Sequence, residues 1–241
     1  MAVRWFGVGC ALVMAALGTV AGFNGVTGFY TSQALAAQDK LGVRDILFDT
    51  PQLDNVDEGT KLTYNFSRNV SEPKLLGPGF SDEINLSVLK VREDGKRDVK
   101  VEIFSGDRAR DPRTIDGLTA NPVLVFYLDR MVANYAMLAG GSNGYLKNRF
   151  RLALRTTAKI EPAKIEYNGQ TVDGHHVWVT PYINDPNKER MSGYEGARFD
   201  FFVSDDVPGY LAELTGHFES KETAAPTLDE RITLQGAKVV R

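Results

Sequence analysis

The chain has 241 residues, 43% of them hydrophobic and 24% charged, and a formal net charge of −3. That length suits one large domain or two small ones. The slightly acidic balance lacks the basic footprint of a general nucleic-acid binder, so no nucleic-acid partner is expected.

Arg4 is the only charged side chain before Asp39. An apolar stretch runs from Trp5 to Ala21, and a small-x-small site, Ala34-Leu35-Ala36, precedes Ala37-Gln38-Asp39. A basic start, an apolar core and an A-x-A site read as a secretory signal peptide over residues 1–36, cleaved near Ala36. The alternative is an uncleaved anchor, although the run is borderline against the roughly 20 residues that a span needs. Cys10, the single cysteine, lies in this segment, and Gly7-Val8-Gly9 before it makes a poor lipidation site. A mature domain of residues 37–241 therefore has no disulfide, no thiol nucleophile and no cysteine-ligated metal.

Strand signals dominate that domain. Arg44–Phe48 is a short β-like run. Leu62, Tyr64 and Phe66 alternate with polar residues over Lys61–Asn69, a half-buried strand. Ile84, Leu86 and Val88 alternate over Glu83–Arg92, and Asp94-Gly95 then predicts a tight turn into Val99, Val101 and Ile103. Residues 121–156 form a helical insertion. Asn121 suits an N-cap, Pro122 the first helical position and Gly140 the position past the end, predicting a helix over Val123–Ala139. A second helix from Asn143 or Gly144 to Arg155 follows Gly140-Gly141-Ser142. Strands resume at Lys164–Tyr167, turn at Asn168-Gly169 and continue through His175–Pro181. Residues 183–196 read as a polar loop. Arg198–Ser204 and Tyr210–Ser220 flank Asp205-Asp206-Val207-Pro208-Gly209 as a hairpin, and Arg231–Val240 closes the chain as one strand. The expected fold is α+β, a curved antiparallel sheet of about eight strands wrapped over a central helix pair.

The first helix carries the functional expectation. Val123-Leu124-Val125-Phe126-Tyr127-Leu128 is apolar on every side, and Met131, Val132, Tyr135, Met137 and Leu138 extend it. Such a helix is buried or faces lipid, and Asp129-Arg130 near its middle disfavours a membrane span. It either fills the core or lines a groove for an apolar ligand, with Val123, Phe126, Tyr127, Met131, Tyr135 and Met137 as the lining residues. On the second helix Lys147, Arg151 and Arg155 share one face opposite Leu146, Phe150 and Leu154. That stripe is a solvated face or a surface for anionic head groups or an acidic partner, allowing peripheral membrane contact.

Catalytic and metal motifs fare poorly. Gly140-Gly141-Ser142-Asn143-Gly144 matches G-x-S-x-G, but the motif needs a strand before the serine and a helix is expected there. His175 and His176, neighbours on a strand, point to opposite faces and cannot easily share a metal. No catalytic residue, metal site or cofactor is assigned.

The segments Asn121-Pro122-Val123-Leu124, Leu138-Ala139-Gly140-Gly141-Ser142 and Ser204-Asp205-Asp206-Val207-Pro208-Gly209 resemble a set of uncharacterised exported proteins of Gram-negative bacteria. In element order the chain is also similar to the lipoprotein-carrier family, in which a curved antiparallel sheet wraps around helices and shelters lipid. The resemblance implies a non-enzymatic periplasmic protein that binds an apolar ligand, a lipid or a lipidated partner. A cell-envelope interaction module with a solid core is the alternative, and a serine hydrolase using Ser142 a second one.

Overall fold

The structure is a computed structural model that describes residues 42–240; the expected signal segment and its cleavage site lie outside them. The fold is α+β. Ten strands form one open antiparallel sheet: β1 (Lys61–Val70), β2 (Phe80–Val91), β3 (Arg97–Ile103), β4 (Arg113–Leu118), β5 (Lys159–Tyr167), β6 (Gln170–Val179), β7 (Arg198–Val203), β8 (Leu211–Phe218), β9 (Leu228–Leu234) and β10 (Ala237–Val240). Their order is β10-β5-β6-β7-β8-β9-β1-β2-β3-β4. A short helix α1 (Pro73–Leu76) links β1 to β2, while α2 (Pro122–Ala139) and α3 (Asn143–Thr156) link β4 to β5. Because β4 is one sheet edge and β5 lies one strand from the other, these two helices carry the chain across the sheet. None of the described helices is long and apolar enough to cross a membrane.

Alternation builds the core. On β1, Leu62, Tyr64, Phe66 and Arg68 are buried, and their register partners Leu86, Ile84 and Asp82 on β2 share that face. The same face runs through Val99 and Val101 on β3 and through Phe199, Phe201 and Leu214 on β7 and β8. The helices cover it. Tyr127 meets Phe201 edge-on with ring centres 5.4 Å apart, and Phe150 of α3 lies 4.8 Å from Phe199.

Three expectations need correction. Arg44–Phe48 is not a strand, since Asp45–Asp49 is a helical turn. Asp45 Oδ2 accepts from the Gly42 N–H at 2.8 Å, and the adjacent Ile46 and Leu47 are both buried, which an alternating strand forbids. The sheet has ten strands rather than eight, because Arg113–Leu118 pairs as an edge and the last run is split. Gln235-Gly236 breaks that run: Gly236 has φ 86°, and a Cβ there would collide with the Asn168 side chain. β9 and β10 are thus joined by two residues, yet β10 pairs with β5. A flat sheet would separate β10 from β9 by five strand spacings, roughly 24 Å, whereas three Cα steps reach about 11 Å at most. The β5–β9 half must therefore curl. It curls on the face away from the helices, where Ile165 and Val239 are register partners.

Candidate functional site

Asn121 sets the position of α2. Its side-chain oxygen accepts from the Val123 N–H at 3.1 Å, capping the helix. Its side-chain nitrogen donates to Tyr64 Oη and to the Gly209 carbonyl, both at 2.8 Å, and its backbone N–H donates to Gln52 Oε1 at 2.8 Å. Gly209 has φ 72°, and a Cβ there would collide with Leu62 and crowd Asn121 and Tyr64. Burial pushes the Tyr64 phenol well above its usual range, against the Asn121 hydrogen bond, which lowers it.

The six residues expected to line a groove fall into three groups. Val123, Tyr127, Met131 and Tyr135 are buried, Tyr127 and Met131 against the sheet and Tyr135 against Tyr182 and Met191 of the segment between β6 and β7. Tyr127 Oη donates to the Thr215 carbonyl at 2.5 Å, Tyr135 Oη donates to the Met191 sulfur at 3.0 Å, and a Cβ at Gly216 would collide with the Met131 sulfur. Met137 faces outward and is 51% exposed. Phe126 alone of the six lines the large groove, and Val125, 59% exposed, lines it beside Phe126. α2 is apolar all round because one side packs on the sheet and another opens on a cavity.

That groove has a volume of about 840 Å³ and lies between α2 and the β3–β4 edge. It falls inside the range of about 300–1,000 Å³ typical of ligand pockets. Its apolar lining comes from Val101, Ile103, Ile115 and Leu118 on the sheet side and Val125 and Phe126 on the helix. Arg110, Asp111, Arg113 and Asp129 add charge to it. The Arg110 guanidinium sits over the Phe126 ring at 5.6 Å, and Phe104 meets Phe126 edge-on at 6.0 Å. Neither Arg110 nor Arg113 takes part in an ion pair among the described residues, and Asp129 is held by Lys147 at 2.8 Å.

Further along α2, Arg130 and Asn134 also line the groove, beside a buried charge cluster. Arg130 donates twice to Glu230, Nε to Oε2 at 2.5 Å and Nη2 to Oε1 at 2.6 Å. Arg68 also bonds Glu230 Oε1, and its Nη1 donates to Asn134 Oδ1 at 3.2 Å. The Arg130 guanidinium lies 4.8 Å over the Phe66 ring. Two guanidiniums thus share one carboxylate whose side chain is 1% exposed. Asn134 Nδ2, also buried, has no hydrogen-bond partner. Leaving such a donor unmet costs about 1–3 kcal/mol. Sequence reading missed these residues, although parity marks two of them: Arg68 and Glu230 occupy inward positions among Leu62, Tyr64 and Phe66, and among Leu228, Ile232 and Leu234.

The basic stripe of α3 is divided. Lys147 pairs with Asp129, while Arg151 and Arg155 are exposed. Arg149, beside the stripe, pairs with the fully buried Asp185 at 2.6 Å. Ser142 is the N-cap of α3, its hydroxyl accepting from the Tyr145 N–H at 3.4 Å, and α2 precedes it. His176, on the sheet face opposite the helices, bridges Glu161 and Asp200 at 2.6 and 2.7 Å. Burial alone would raise the Asp200 carboxyl, but hydrogen bonds from His176 and Arg198 hold it below its ordinary value. Among the described residues, no cluster of three His, Cys, Asp or Glu side chains is placed to hold a metal ion.

No protein-family model and no curated protein matches the chain. Solved structures similar to it include MucB of the Pseudomonas aeruginosa MucA/MucB complex, at 13% identity and TM-score 0.35, covering 83% of this chain and 57% of that one. A second structure of MucB, in complex with the periplasmic part of MucA, is similar at 14% identity and TM-score 0.37, covering 81% of this chain and 55% of that one. The chain spans little more than half the length of these MucB chains. The Mycobacterium tuberculosis lipoprotein LppX is similar at 9% identity and TM-score 0.30, covering 76% of this chain and 89% of that one.

Proposed function

We propose that the protein is a non-enzymatic binding protein of the bacterial envelope, working in the periplasm, and that its ligand is an apolar chain, free or carried by a lipidated partner. The carrying observation is the groove of about 840 Å³ between α2 and the β3–β4 edge, with Val125 and Phe126 presented to it from a helix whose opposite side packs on the sheet. Solvent-exposed apolar surface is unfavourable by about 25 cal/mol per Å², so a contiguous apolar lining favours an occupant. The export signal read from residues 1–36 supports the compartment, where a lipid needs shelter from water. Phe126 is the one residue of the expected lining set kept in this reading as a ligand contact.

The test is uptake of N-phenyl-1-naphthylamine, a neutral probe that fluoresces in apolar surroundings, by the purified protein. Saturable binding at one site, with an acyl-bearing mass retained in native mass spectrometry, is expected. Absence of saturable uptake sinks the reading.

A further inference from the structure

We propose that the groove takes a carboxylate-headed acyl chain, its carboxylate seated at Asn134 and Arg130 and its chain running along Phe126 and Val125. This deepens the apolar-groove reading and rests on it. Two independent observations point to an anionic oxygen at that end. First, the local charges do not balance. Arg68 and Arg130 share the single carboxylate of Glu230, which leaves one positive charge in excess in a largely buried wall. Asp129, the nearest acid in sequence, is drawn away by Lys147, and Asp111 belongs to the β3–β4 connection. Second, Asn134, 7% exposed, has a side-chain N–H group with no partner. Its orientation is fixed, because Oδ1 accepts from Arg68, and turning the amide would set its N–H groups against that cation. Buried donors in folded proteins are almost always met, so an orphan beside a cavity is a position where a water or a ligand oxygen would be held.

The ligand's charge follows from the same count. One excess guanidinium charge is neutralised by a monoanion, and a planar carboxylate suits guanidinium and amide donors together. A phosphate monoester carries about −1.5 to −2 at neutral pH and would leave the site overcharged. Along the route Arg110 and Arg113, unpaired by any carboxylate among the described residues, outnumber Asp111, and Asp129 is offset by Lys147, so the net field favours an anion.

The experiment displaces N-phenyl-1-naphthylamine from the purified protein with dodecanoate and with 1-dodecanol, which share a chain and differ in the head. Dodecanoate is expected to bind at least about tenfold tighter, the effect of one charge-assisted hydrogen bond. In Asn134→Asp the new carboxylate neutralises the excess charge and repels the head, so the dodecanoate-to-dodecanol affinity ratio should fall below one. A ratio near one in the unsubstituted protein overturns the carboxylate anchor while the groove reading stands. Failure of both ligands to displace the probe overturns both. The two-ligand comparison decides the matter even if Asn134→Asp does not fold.

Discussion

Asn121 closes hydrogen bonds with four partners from four parts of the chain: the first turn of α2, Tyr64 on β1, Gly209 before β8, and Gln52. Only the first is a helix cap in the ordinary sense. In Asn121→Ala the cap is lost, at about 1 kcal/mol. The buried Tyr64 hydroxyl then loses its donor, while the Gly209 carbonyl keeps the Leu211 N–H at 2.8 Å, and one stranded group of that kind costs about 1–3 kcal/mol. The expected total is about 2–4 kcal/mol, read as a lower midpoint in urea unfolding followed by circular dichroism. A loss under about 0.5 kcal/mol would place Asn121 among ordinary surface caps and remove it as the residue that positions the groove's helix.

At the scale of the element, α2 serves two surfaces at once. Met131 packs so closely over Gly216 that this side of the helix has no slack, whereas Val125 projects into the groove. Val125→Trp should fill the cavity without disturbing the packed side. Probe uptake is expected to fall about tenfold, while stability stays within about 0.5 kcal/mol, as for exposed substitutions. Equal uptake by the variant would mean that the probe does not occupy this groove. Both ends of α2 were legible in the sequence, since Asn121-Pro122 and Gly140 are local chemistry. The β2–β3 turn at Asp94-Gly95 was legible for the same reason. β4 was not. In Arg113-Thr114-Ile115-Asp116-Gly117-Leu118 only Ile115 and Leu118 are apolar, and Gly117, at φ 67°, breaks the alternation. An edge strand over a solvated groove needs no better pattern. The groove itself was illegible because it arises where that weak edge meets a helix it does not pack against. The sequence marks α2 as unusual without saying which of its sides meets the sheet, so its pattern alone does not separate Tyr127 and Tyr135 from Phe126.

In the whole molecule, Glu230 joins segments that are far apart in sequence: Arg68 of β1 lies 162 residues away and Arg130 of α2 lies 100 away. β1 and β9 are neighbours in the middle of the sheet, so this carboxylate sits where the early and late halves of the chain meet and where the crossing helix docks. Glu230→Gln keeps the shape and removes the charge, which leaves two guanidiniums together without a counter-ion. Breaking a buried pair in this way costs about 3–5 kcal/mol, although a fully apolar replacement of such a cluster is often neutral. The expected result is an unfolding free energy lowered by that amount, seen as a lower urea midpoint with an unchanged slope, the mark of lost stability without a change in the unfolded state. The same substitution raises the positive charge beside Asn134. Dodecanoate should therefore bind tighter to the folded variant and restore part of its midpoint, whereas 1-dodecanol should do so less. Lower stability combined with higher carboxylate affinity cannot come from general loosening of the fold, which would weaken both. If dodecanoate bound more weakly than before, Glu230 would be acting only as a structural clamp, and the excess charge would not be what draws the ligand's head into the groove.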